Sequence, residues 1–237
     1  MKIILAMDTA TPVLSAALIA GERRWYREAD AGLGHSELLL DMADGLLKEA
    51  GMGPEDLEAV ACMRGPGSFT GLRIGFSAAK GMALALDIPL IACPTLDCMA
   101  YPWSPWPALV LPLLDAKKGR FFTALYAGER RVSEEMDADL ESIVRLIHSA
   151  AKEDAETVLL TGPDAPLFLS RLKEGGAEGK GRPFMDRLRL DPLCRRGRGL
   201  ELAAVAKRKI IMNNEENDVL SAPEYLRESD ADTKFTK

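Results

Sequence analysis

Arg64-Gly-Pro-Gly-Ser-Phe-Thr-Gly-Leu-Arg-Ile-Gly75 lies between an apolar run, Leu57 to Met63, and a helical pattern running from about Ser68 to Leu86. A strand that feeds a glycine turn into a helix, followed by the apolar strand Ile88 to Cys93, is a strand–helix–strand unit. An apolar second strand implies a parallel pair joined by a right-handed crossover. The chain is therefore α/β. The turn also has chemistry of its own. Ser68 is a good N-cap, and Pro66 with Gly67 sets a sharp approach. The first N–H groups of a helix have no partner within it and point toward any anion placed there. Asp8, Thr9, Gly67 and Ser68 are the candidate contacts for such an anion or a nucleotide phosphate. No Lys-Ser/Thr follows the last glycine, so this is not a Walker loop, and the third glycine is displaced from a dinucleotide fingerprint. A packed strand-to-helix turn and an anion site both remain open.

Upstream, Lys2 to Met7, Val13 to Ala20 and Arg24 to Glu28 read as three strands with short joins, an antiparallel meander. Gly34 opens a helix, Ser36 to Ala50, closed by Gly51 and followed by Pro54. Downstream, Pro102-Trp-Ser-Pro-Trp-Pro107 cannot continue a helix or a central strand and marks a boundary. Beyond it come strands Ala108 to Leu114 and Arg120 to Tyr126, a helix Ala138 to Ala151, a strand Thr157 to Thr161, and helices Leu167 to Lys173 and Leu200 to Lys209. Both halves show a strand, an acid-containing turn, a strand and a helix. The expected domains are 1–103 joined by the late helix 199–212, then 108–196, with 213–237 as a tail.

At 237 residues, 47% hydrophobic and 28% charged, the chain has the composition of a globular protein and not of a disordered one. Its longest apolar run, Pro105 to Leu114, is roughly half the ~20 residues that span a bilayer, so no membrane contact is expected. Lys2 and the apolar residues after it are interrupted too early for an export signal. Cys62, Cys93, Cys98 and Cys194 have no CxxC spacing and read as reduced thiols of a cytoplasmic protein. The net charge of −6 argues against unaided nucleic-acid binding. Between Lys180 and Lys209, however, ten Lys or Arg face three acids. Arg187, Arg189, Arg195, Arg196 and Arg198 make either a solvated face or a phosphate-contacting patch for RNA.

On the first helix Leu38, Leu39, Met42, Leu46 and Ala50 share a face, which Leu40, Ala43 and Leu47 widen. On the second, Gly71, Gly75, Ala79, Met82 or Ala83, and Leu86 share a face, whose small residues four apart suit internal packing or close approach by another helix. Together the two helices suggest an interface on a second chain. His35 and His148 are the only histidines. A helical metal pair would need a second histidine four residues after His35, where Leu39 stands, so no metal site is expected.

Met7-Asp-Thr-Ala-Thr11, Gly34-His-Ser-Glu-Leu-Leu39, the glycine motif and Ala79-Lys-Gly81 occur in an order and spacing that resemble the TsaB (YeaZ) family of bacterial tRNA threonylcarbamoyladenosine biosynthesis proteins. Leu114-Asp-Ala-Lys-Lys-Gly119, Thr161-Gly-Pro-Asp164 and Pro223-Glu-Tyr-Leu-Arg227 agree. The resemblance implies a two-lobed actin-like (ASKHA, ribonuclease H-like) fold. It implies a non-catalytic scaffold of the threonylcarbamoyladenosine modification complex, beside the related transferase TsaD. TsaD-like chains carry a His-x-x-x-His pair on the first helix, and here Leu39 replaces the second histidine.

The implied partners are TsaD, docked on the first two helices, the ATPase TsaE, tRNA through the complex, and a second copy of the chain when alone. The implied interface residues are His35, Leu38, Leu39, Met42, Leu46, Gly71, Gly75, Ala79 and Met82. No cofactor is expected in the chain itself, with ATP or ADP only at the junction of the assembled complex. Two alternatives stand beside this one: an actin-like nucleotide-binding ATPase or transferase, and a metallopeptidase-like enzyme, which the missing histidine disfavours.

Overall fold

The computed structural model describes residues 2–32, 34–150, 157–174, 185–212 and 217–226. The chain divides into two units, one formed by the residues up to Cys98 and from Gly197 onward, the other by Met99–Arg196. The boundaries fall at these residues, whereas the proline cluster had placed one between 103 and 108. Tyr101–Trp103 forms a 3-10 turn, so the first of those prolines lies inside ordered chain.

In the first unit, β1 (Ile3–Asp8), β2 (Val13–Ala20) and β3 (Arg23–Asp30) form the antiparallel meander. Gly21, at φ 66°, makes the β2–β3 turn. β4 (Ala59–Gly65) lies parallel to β1, and β5 (Leu90–Pro94) parallel to β4. The order is β3-β2-β1-β4-β5. β1 and β4 are buried on both faces, as their unbroken apolar sequences require. Helices α1 (His35–Ala50) and α2 (Phe69–Leu86) pack on one face around Leu5, Leu39, Leu46 and Phe76. A short α3 (Thr95–Ala100) follows β5. The late helix covers the other face through Leu202, Ala203 and Ala206.

In the second unit, β6 (Leu109–Lys117) is central. β7 (Arg120–Thr123) pairs antiparallel with it, as do the two residues of β8 (Tyr126–Ala127) further along, and β8 pairs with β9 (Arg130–Arg131). The expected strand Arg120 to Tyr126 is thus two strands on one partner, bent where Leu125 N–H leaves the ladder to donate to Ser133 Oγ. β10 (Met136–Asp139) takes the start of the expected helix, because Ala138 pairs with Phe121 across β7. α4 (Leu140–Ala150) begins after Asp139, whose Oδ1 accepts from Ser142 N–H, and residue 151 lies outside the described residues. β11 (Val158–Thr161), α5 (Ala165–Glu174) and β12 (Leu188–Leu190) complete the unit, and Phe121 meets Phe168 edge-on in its core. α6 (Gly199–Met212) is the late helix, and it belongs to the first unit.

The main path of the second sheet is β10-β7-β6-β11-β12, the same pattern as the first: a central strand, two antiparallel neighbours on one side, two parallel on the other. Two copies of this topology in one chain are the actin-like, ribonuclease H-like architecture. Residues 217–226 are no loose tail. Asn217 and Asp218 side chains accept from Leu90 and Ala92 N–H, sealing the outer edge of β5.

Candidate docking surface

α1 starts without a side-chain cap and ends at Gly51, whose φ of 70° is the left-handed conformation glycine takes at helix ends. His35, its first residue, is buried, and its Nε2 lies 2.8 Å from Thr11 O. A carbonyl only accepts, so Nε2 carries the proton and the ring latches the β1–β2 turn. Leu39 and Leu46 are buried in the core beneath α1. Three consecutive leucines cannot all point one way on a helix. Leu39 faces inward, and Leu38 and Leu40 are left exposed.

α2 starts at Ser68, whose Oγ accepts from Gly71 N–H at 3.2 Å, while Ser68 N–H donates to Ala10 O. Gly67, just before the helix, and Gly71 and Gly75 in its first half face its own unit. A Cβ at Gly67 would stand 2.7 Å from Ala10 O, at Gly71 2.0 Å from Thr9 O, and at Gly75 2.2 Å from Thr9 Oγ1. Thr9 Oγ1 donates to Gly71 O at 2.7 Å. The motif is glycine-rich because the β1–β2 turn lies against the helix there, closer than any side chain allows. Ala79 is likewise buried.

Gly71, Gly75 and Ala79, with His35, Leu39 and Leu46, are therefore covered by their own unit and do not present a face to another chain. Leu38, Met42 and Met82 keep exposed or half-buried surface. The outward row of α2 is Arg73, Ser77, Gly81 and Ala85, all exposed and four residues apart. Nothing lies within 4 Å of a Cβ built at Gly81. Leu40 and Leu84 are 55% and 64% exposed, and an open apolar hollow of about 270 Å³ lies between Leu40, Leu47, Pro54, Met82 and Leu86. The small-residue stripe that reaches solvent was missed by sequence reasoning, although the Leu38-Leu-Leu40 run already signalled an exposed leucine.

The anion reading meets a different obstacle. Asp8 is buried with both oxygens engaged: Oδ1 accepts from Ala10 N–H at 3.0 Å and Oδ2 from Arg198 N–H at 2.9 Å. Arg198 is the residue before α6, and Gly199 N–H donates to Ser15 Oγ, so Asp8 and Ser15 together cap that helix. Burial raises the Asp8 carboxyl above the ordinary range, against the lowering effect of those two N–H donors. Thr9, Gly67 and Ser68 serve the turn as described. The five arginines differ in exposure. Arg187 and Arg198 are 8% and 1% exposed, their long stems taken into the fold, while Arg189 and Arg195 are exposed and Arg196 is half-buried. Residues 175–184 of the Gly/Arg-rich segment lie outside the described residues.

A chain of two ribonuclease H-like units with an apolar helix pair on the first fits the TsaD class: residues 29–161 match the family described as TsaD, tRNA N6-adenosine threonylcarbamoyltransferase. A Bacillus subtilis relative named tRNA threonylcarbamoyladenosine biosynthesis protein TsaB is 30% identical over 239 residues, 98% of this chain and 97% of that one. An Escherichia coli protein of the same name is 38% identical over 125 residues, 52% of this chain and 54% of that one. The solved structure of YeaZ from Pseudomonas aeruginosa superposes with a TM-score of 0.74 at 26% identity, covering 95% of this chain and 100% of that one. The chain belongs to the TsaB (YeaZ) family. No helix among the described residues is long and apolar enough to cross a membrane.

Proposed function

We propose that this chain is a non-catalytic scaffold subunit in tRNA threonylcarbamoyladenosine biosynthesis that docks on a TsaD-type transferase through the outward faces of α1 and α2. The observation that carries the reading is the exposed row Ser77, Gly81 and Ala85 beside exposed Leu40 and Leu84. Small residues four apart let a second helix approach closely, and the leucines supply apolar area that water otherwise covers. The same face serves a second copy of the chain in the absence of the transferase, and TsaE and tRNA engage the assembled pair. On this reading, Arg189 and Arg195, the exposed members of the arginine group, contact RNA phosphate. Nucleotide, on this reading, is held at the junction of the assembled subunits.

The test is a titration of the purified chain into its TsaD-type partner, followed by light scattering. Gly81→Glu should abolish the complex, since it places an unpaired charge in an apolar contact, and should not lower the melting temperature because the site is open. Undiminished association of Gly81→Glu would refute the docking face. Turnover of ATP by the wild-type chain alone would refute the non-catalytic role.

A further inference from the structure

The motif near the C-terminus, Pro223-Glu-Tyr-Leu, has no part in the helix pair itself, yet it is strapped across the start of α2. Glu224 N–H donates to Arg64 O at 2.8 Å, and its Oε2 lies 3.2 Å from Arg64 Nε. Gly65, at φ 126°, has no room for a side chain, because a Cβ there would stand 2.3 Å from Glu224 O. The first glycine of the long motif is therefore a seat for the strap.

Next to it, the Tyr225 ring lies 4.7 Å from that of Phe69. The Arg73 guanidinium sits 3.8 Å over Phe69 and 5.9 Å from Tyr225, and its Nε donates to Tyr225 Oη at 3.2 Å. No carboxylate among the described residues pairs with Arg73. The clamp fills no core, since Tyr225 is 40% exposed and Arg73 is exposed. What it does is hold one cation still at the head of the outward row of α2.

A free surface arginine loses rotamer freedom when it forms a pair, which is why isolated surface pairs contribute little. An arginine already stacked on two rings has lost most of that freedom beforehand, so a carboxylate reaching it binds at less entropic cost. We propose that Arg73 is a partner-binding residue, positioned by Tyr225 of the C-terminal strap, and that its ligand is a carboxylate of the chain that docks along α2. The inference rests on the docking reading above and names the polar anchor of that surface. A nucleic acid is the poorer occupant, because a polyanion laid along the helix pair would also meet exposed Glu37, Asp41 and Asp44 of α1.

The experiment measures the dissociation constant for the TsaD-type partner by calorimetry at two salt concentrations, with full-length chain. Arg73→Ala should weaken binding about tenfold, as expected for one charge-assisted hydrogen bond, and flatten the salt dependence. Tyr225→Ala should weaken binding severalfold with Arg73 intact, whereas Tyr225→Phe, which keeps the ring, stays near wild type. The double variant Arg73→Ala/Tyr225→Ala should be no weaker than Arg73→Ala alone, because the tyrosine acts through the arginine. Wild-type affinity for Arg73→Ala, or additive losses in the double variant, would overturn the proposal. Gly81→Glu in the same series separates the two readings. If it abolishes binding while Arg73→Ala does not, only the anchor is wrong; if it binds normally, the docking surface itself is wrong.

Discussion

Two glycines of α2 ten residues apart, Gly71 and Gly81, should respond in opposite directions to the same added methyl group. At Gly81 a Cβ meets nothing within 4 Å, so Gly81→Ala keeps every contact and gains the helix propensity of alanine, about 1 kcal/mol. At Gly71 a Cβ would lie 2.0 Å from Thr9 O, a backbone atom at the end of a buried strand. Ordinary contact requires the helix start and the turn to separate by about 1 Å, which is overpacking against main chain that has nowhere to go. The movement also breaks the bond from Thr9 Oγ1 to Gly71 O. Strain of about 1–3 kcal/mol and a lost buried hydrogen bond of about 1 kcal/mol outweigh the propensity gain and leave Gly71→Ala about 1–3 kcal/mol less stable. Thermal melts should place it about 2–12 °C below wild type, and Gly81→Ala a few degrees above. Equal melting temperatures for the two variants would mean that the glycines are not sorted into an inward and an outward face, and the assignment of the docking row would fall with them.

Asp218→Ala should cost about 1–3 kcal/mol, because it leaves the N–H of buried Ala92 without its acceptor at the edge of β5; an unchanged denaturation midpoint would contradict the edge-seal account. Asp8→Asn tests the buried carboxyl. Its folded pKa is raised, so the native chain holds this proton to higher pH than the unfolded chain, and the resulting stability is full below the unfolded value near 4 and lost as pH rises through the folded value. The melting temperature of wild type relative to Asp8→Asn should therefore be higher at pH 4.5 than at pH 7, and the reverse trend would refute the burial argument.

Much of this was legible in the sequence. The α/β class followed from the strand, glycine turn and helix around residues 57 to 93, and β2 and the end of α1 fell where the apolar run before Gly21 and the glycine at 51 put them. The duplicated outline was visible because each half repeats the same succession of strands. The proposed interface was legible only to the level of the helix. Small residues at i, i+4 and i+8 mark a close approach without saying to what, and α2 carries two such rows. The inner row, Gly71, Gly75 and Ala79, is filled by Thr9 and the sheet; the outer, Ser77, Gly81 and Ala85, is open. Choosing between them requires knowing that the β1–β2 turn folds back onto the helix, a contact some sixty residues away in sequence. Arg187 and Arg198 were misread for a related reason, since charge density along a chain carries no information about burial.

The glycine turn gives the same lesson from the side of chemistry. A helix N-terminus needs acceptors, and it is indifferent to whether a ligand or its own chain supplies them. Here Ala10 O takes the N–H of Ser68, Ser68 Oγ takes that of Gly71, and Asp8, the acid best placed by sequence to hold a ligand, is spent on the N–H of Arg198 at the start of α6. Once those groups are turned inward, the motif still constrains sequence as tightly as an anion site would, because Gly65, Gly67 and Gly71 each have a backbone oxygen, and Gly75 the Thr9 hydroxyl, less than 3 Å from where a side chain would begin. What that packing sets in place is the orientation of α2: the helix is pinned along its inner edge by Thr9 and across its start by the strap at Gly65, so its outer row is held rigidly toward solvent. On the proposed docking reading, rigid presentation of this shallow, small-residue row lowers the ordering cost of association, which would account for a long glycine signature whose own N–H groups at Ser68 and Gly71 are already used.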